Sequence, residues 1–243
     1  MRRVIFYSAG KNSSFLSWKK IAIALFLAVA WLFLLSNTAN ASSCPKMGQP
    51  TVDLNIEDSY PRFNYNKSIA ELSHSRVDSR AAQAMSQGKI GGLTVGNVKL
   101  SQVTNFQISS FPEEKESCIS ISRVLITISL DSTVHVAKDY PKGSCLHQEI
   151  YNHELKHVEA DRIVVRKFAG QIRQAAEKQV IRTGVIGPFS SMLTDANRQA
   201  LFTKVDQQVQ EAAEQMFTIR DKMQQDIDSP QEYLRISMAC HGK

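Results

Sequence analysis

The chain has 243 residues, with 29 lysines and arginines against 23 aspartates and glutamates, a formal net charge of +6. Five of those bases (Arg2, Arg3, Lys11, Lys19 and Lys20) lie in residues 1–20 with no acid among them, so residues 42–243 carry 24 bases against 23 acids, or +1. That near balance removes the electrostatic case for a nucleic-acid partner.

The basic start leads into an unbroken apolar run, Ile21–Leu35, and then into small residues at Ala39 and Ala41. Basic region, apolar core and A-x-A site form the pattern of a secretory signal peptide. Residues 1–41 are therefore expected to be a signal, with cleavage after Ala41. The apolar run spans about 22 Å as helix, short of a hydrocarbon core of ~30 Å, so retention as a membrane anchor is the weaker reading. The protein is expected to be exported, periplasmic or secreted, with no stable membrane insertion once the signal is removed.

Residues 42–243 make one domain, long enough to bury a core of its own. All four cysteines, Cys44, Cys118, Cys145 and Cys240, lie in it. An even count in an exported chain predicts disulfides. Cys118–Cys145 is the favoured pair, because those two flank a strand region and the helix that follows. Closing that loop would contribute about 3–4 kcal/mol. Cys44–Cys240 would then join the two ends. No C-x-x-C spacing supports a cysteine metal site instead.

In chain order, residues 42–66 read as an extended lead-in with a short strand at 52–56. Ile69, Leu72, Val77, Ala81, Ala84 and Met85 recur at helical spacing over 67–87, and Gly88, Gly91 and Gly92 end that pattern. Residues 93–95 and 105–108 are strand candidates. The strongest strand is 118–130, where Ile126, Ile128 and Leu130 alternate with Thr127 and Ser129. Asp131-Ser132 is expected to turn the chain into a hairpin partner at 133–137. Ser144 can cap a helix from about Cys145 to Arg182, which Gly184 closes. A second long helix runs from about Asp195 to Asp228, and Pro230 ends it. The fold class is α+β: a small antiparallel sheet, then two long helices packed together.

The first long helix carries His153-Glu154-Leu155-Lys156-His157. At ~100° per residue, Ile150, His153, Glu154, His157, Val158, Asp161, Val164, Val165, Phe168 and Ile172 form one stripe. Lys156, Glu159, Arg162 and Arg166 fall on the opposite face. Two histidines four residues apart on the buried face can bind one metal ion. Glu154 lies on the flank of the pair, placed to touch a metal-bound water. Zinc held by two histidines and a third ligand keeps a position open for that water. The carboxylate then serves as general base.

This arrangement resembles the zincin metallopeptidases, and the stretch from Cys118 to Arg162 is similar to poorly characterised exported bacterial proteins described as zinc proteases. The resemblance implies Zn²⁺ as cofactor, His153 and His157 as ligands and Glu154 as base. It also implies a strand beside the helix that holds a peptide or protein substrate in extended form.

The third ligand is open at this level. Ala160 and Ile163 stand where the metzincin pattern needs Gly and a ligand, which excludes that group. Glu177 sits at the thermolysin-like distance, but about 30 Å down an unbroken helix. Asp161 lies in the stripe and reads as a partner that orients His157. On the second helix Asp206 borders the apolar stripe and Glu211 and Glu214 lie farther round, and the choice among these carboxylates stays open. His135 is expected to be exposed by its strand phase, His147 to lie at the surface, and Tyr140 and Tyr151 to pack. His241 lies in the tail. No serine or cysteine nucleophile pattern is present. A carboxylate-bridged two-metal site would need a second Glu-x-x-His, which the chain lacks. The other reading left open is an exported binding protein that keeps the helix for structure or for holding a metal.

Overall fold

A computed structural model describes residues 43–74 and 91–240. The signal region and residues 75–90, the greater part of the helix expected over 67–87, lie outside the described residues. Every element below belongs to the compact unit Cys44–Lys243.

Strands β1 (Thr51–Asp58) and β2 (Arg62–Asn64) precede a short helix α1 (Ile69–Ser73). Ser68 and Glu71 cap α1 reciprocally: each side chain accepts from the other's backbone N–H. Then come β3 (Gly92–Phe111), β4 (Glu116–Val136), helix α2 (Cys145–Thr183) and β5 (Val185–Ser190). A 3₁₀ turn follows, then α3 (Thr194–Ile227) and α4 (Pro230–Ala239).

β4 is the spine of the sheet. β3 pairs antiparallel along its whole length. The other edge of β4 is shared end to end by β5 against residues 116–120, β1 against 123–130 and β2 against 133–135. The expected antiparallel sheet is thus mixed, because β1 and β2 run parallel to β4. Alternation fixes which face a side chain takes; it is silent on the direction of the neighbouring strand. The expected turn at Asp131-Ser132 is also absent. The alternation continues in phase through it, and Asp131, on the outer face, pairs with Arg62 of β2 at 2.9 Å. The reversal occurs at residues 112–115 instead, where Lys115 takes φ 55°.

One face of the sheet carries Val124, Ile126, Ile128 and Leu130 of β4 into the core. There they meet Val164, Val165, Phe168 and Ile172 of α2, backed by Leu201, Val205, Val209, Ala213 and Met216 of α3. The other face is largely polar, with Asp53–Arg123 and Glu57–Ser129 pairs across β1 and β4. Ser144 caps α2 as expected, its hydroxyl accepting from the backbone N–H of His147. Pro230 does end α3, but it also opens α4: its missing N–H is harmless in a first helical turn, and Ser229 caps it.

The disulfides are Cys44–Cys118 and Cys145–Cys240, which corrects the expected pairing. Cys118 sits near the start of β4 and Cys145 follows its far end. The intervening strand is roughly 60 Å long, so these two cysteines cannot meet. Cys44, just before β1, reaches Cys118 because β1 lies beside β4. Two disulfides mark a chain that folds where thiols oxidise. Among the described residues, no helix is long and apolar enough to cross a membrane.

Candidate metal centre

α2 and α3 are joined by the short β5 connection and lie antiparallel, so a step of four on one is matched by a step of four on the other. Asp161 meets Arg220, His157 meets Gln224 and His153 meets Asp228. Most of this seam is apolar. Its last two turns are polar, and they hold the motif.

His153 and Asp228 are 3 % and 8 % exposed, and the His157 side chain 12 %. The three offer ligand atoms within 4.8 Å of one another, a group that could hold a metal ion. His153 Nε2 lies 3.2 Å from Asp228 Oδ1 and His157 Nε2 lies 3.3 Å from the same oxygen. Two ligands bound at 2.0–2.1 Å to one tetrahedral ion stand about 3.3 Å apart. The spacing therefore fits a shared ion, and the fit extends to chemistry. Gln224 Oε1 accepts from His157 Nδ1, so in the neutral ring the Nε2 facing Asp228 bears a lone pair. A lone pair and a carboxylate oxygen face each other there, and only a cation or a proton between them relieves the repulsion.

The surroundings support the same three groups. Tyr233, on α4, donates its hydroxyl to Asp228 Oδ1 at 2.8 Å, and its ring packs 5.7 Å from that of His153. Burial and then the Asp228 charge push the Tyr233 hydroxyl well above its ordinary range. Burial acts to raise Asp228, but hydrogen bonds from His153, and from His157 when its ring carries both protons, outweigh it and hold the carboxyl well below the usual range. Burial acts to lower His157, and its Asp228 hydrogen bond with the Glu154 charge leaves it raised. Glu232 approaches His153 Nδ1 at 3.5 Å without hydrogen-bond geometry. Hydrogen bonds from Arg235 first, and from Lys156 after it, bring Glu232 down to about 2.

Glu154 is 4 % exposed, buried with the stripe in which its wheel position puts it. It turns toward β3, where Thr94 Oγ1 donates to its Oε2 at 2.8 Å. Burial raises its pKa above the ordinary carboxylate value. The close approach needs Gly92: a Cβ there would stand 2.6 Å from Glu154 Oε1.

Of the carboxylates offered as third ligand, none joins the centre. Asp161 reaches His157 only through Gln224. Glu177 pairs with Arg173 one turn away. Asp206 and Glu211 bond to Gln210 and Gln208 on their own helix, and Glu214 faces solvent. Asp228 was legible only as a helix boundary, in Asp228-Ser229-Pro230. His135 and His147 are both 6 % exposed, against expectation. His135 is enclosed where both edges of β4 are paired, by β2 and β3. His147 packs 5.5 Å from the ring of Tyr65. Tyr151 packs on Phe63 at 5.5 Å and Tyr140 lies against Gly91, as expected of packing residues.

No protein-family model, no curated protein and no solved structure matches this chain.

Proposed function

We propose that the protein is an exported zinc-dependent peptidase, periplasmic or secreted, that reaches its compartment by a signal peptide at residues 1–41. The observation that carries the reading is the convergence of His153, His157 and Asp228 beside a buried carboxylate, Glu154, held by a neighbouring strand. His153, His157 and Asp228 would hold the ion, and once bound it would supply Lewis-acid polarisation of a carbonyl and a water of lowered pKa, ~7 for zinc.

The chain's own residues do the rest. Thr94 fixes Oε2 of Glu154, so Oε1 is the atom that takes the proton of the attacking water. From there the proton goes to the leaving amide nitrogen. A group whose pKa is raised by burial is a better match to that exchange near neutrality than an exposed glutamate. β3 pairs with β4 along one edge only, and among the described residues no strand covers its other edge. An extended peptide or protein segment is the ligand such an edge accepts.

The test is metal analysis and proteolysis on the same purified chain. One tightly held zinc per chain is expected, with hydrolysis of an unfolded protein substrate. Glu154→Gln is expected to keep the zinc and lower hydrolysis by at least a thousand-fold. A chain that takes up no metal sinks the reading. A second reading, a non-catalytic metal-holding protein, draws on the low exposure of His153, Glu154 and Asp228; zinc retention with no hydrolysis by the unsubstituted chain would favour it.

A further inference from the structure

Asp161 is 3 % exposed, and its side-chain hydrogen bonds go to Arg220 and Gln224 rather than to a histidine of the centre. Arg220 clamps it through two hydrogen bonds, Nε to Oδ1 at 2.8 Å and Nη2 to Oδ2 at 3.1 Å. Gln224 Nε2 donates to the same Oδ1 at 2.6 Å and to the backbone oxygen of His157 at 3.1 Å. A side-chain amide has donors at one end and an acceptor at the other. The carboxylate and the backbone carbonyl only accept, so together they hold the NH₂ end. The oxygen end is left facing His157 Nδ1. An amide oxygen only accepts, so Nδ1 must carry a proton, and in the neutral ring Nε2 is the free nitrogen turned toward Asp228.

We propose that Asp161 and Gln224 are positioning residues that select the metal-binding tautomer of His157, with Arg220 holding Asp161 and Gly96 making room for it. A Cβ on residue 96 would stand 2.6 Å from Asp161 Oδ2, so β3 presents glycine where this carboxylate arrives. The inference builds on the metal-centre reading. The plain alternative is that Asp161 and Arg220 only join two helices, in which case the ring proton of His157 is indifferent to them.

Gln224→Met and Asp161→Asn separate the two. Gln224→Met removes the acceptor at His157 Nδ1 altogether. In Asp161→Asn one end of the side chain becomes a donor facing Arg220, which loosens the hold on the NH₂ end of Gln224, while the backbone oxygen of His157 goes on accepting from it. Ligand-orienting partners of this kind are worth about ten- to a hundred-fold in metal affinity. In the full chain, competition with a zinc chelator is expected to show that loss in Gln224→Met and a smaller one in Asp161→Asn. Nitrogen-15 NMR of the chelated protein, at a pH where His157 is neutral, should find the proton on Nδ1 in the unsubstituted chain, shared between Nδ1 and Nε2 in Gln224→Met, and between these two extremes in Asp161→Asn. The same Nδ1–H preference in all three, or Nε2–H in the unsubstituted chain, overturns the proposal. An unsubstituted chain that takes up no zinc would sink the metal reading alone, because the tautomer measurement needs no metal. Should Asp161→Asn fail to fold, Gln224→Met decides: loss of the Nδ1–H preference supports the proposal, and its full retention overturns it.

Discussion

Single residues set the centre by what they place and by what they leave out. Asp228 supplies the oxygen that both histidines face, so Asp228→Asn, which removes the negative charge and replaces one oxygen by an NH₂ donor, is expected to weaken zinc by about a hundred-fold in a chelator competition. Gly92 supplies absence. A Cβ there would meet Ile150 Cγ2 at 2.5 Å and Glu154 Cγ at 2.9 Å, both on a packed helix with little room to yield. Gly92→Ala is expected to cost about 1–3 kcal/mol in urea unfolding and to lower hydrolysis while zinc stays bound. The titrating groups give a pH signature in the chelated protein. Asp228 is lowered, so its contribution is lost as pH falls below the ordinary value of 3.8 and is complete by about pH 5. Glu154 and His157 are both raised, so the native state holds more protons than the unfolded state and stability falls as pH rises. The chelated protein is therefore expected to have a lower urea midpoint at pH 8 than at pH 5.5. Saturating zinc at pH 8 should reverse that, by about 2.7 kcal/mol at a hundred times its dissociation constant.

At the scale of elements, the centre is the polar end of an apolar helix seam. Two antiparallel helices with the same rise per residue keep their contacts in step, which is why Arg220, Gln224 and Asp228 meet Asp161, His157 and His153. The apolar part of the seam contributes stability and the polar part contributes the site. Leu201, fully buried, lies near the far end of α3, about 40 Å from Asp228 along the helix. Leu201→Ala is expected to cost about 2–5 kcal/mol, with zinc affinity in the folded fraction unchanged. Equal loss of both would show that the seam moves as one body. β3 is the other contributing element, and it meets α2 closely only because glycine stands opposite Glu154 and Asp161.

Over the whole molecule, two disulfides hold the outlying parts to this frame. Cys44–Cys118 fastens the lead-in to β4, and Cys145–Cys240 fastens the end of α4 to the start of α2. The cysteines lie 74 and 95 residues apart, so removing either pair as serine is expected to cost about 4–5 kcal/mol on the chain-entropy estimate. Only the Cys145–Cys240 loss should also weaken zinc, because α4 carries Tyr233 and Glu232 to the centre; paired unfolding and chelator titrations check this. The two long helices, the cap at Ser144 and the His153–Glu154–His157 face are determined by the sequence itself, because each rests on spacing within one element. The parallel pairing of β1 and β2 with β4, the disulfide pairing and the third carboxylate are not, because each joins residues 70 or more positions apart. Asp161 shows the boundary: its place in the buried stripe follows from helical periodicity, whereas its link to His157 depends on where α3 sets Gln224. Periodicity acts within a helix; the register of one helix against another is decided only when their side chains pack.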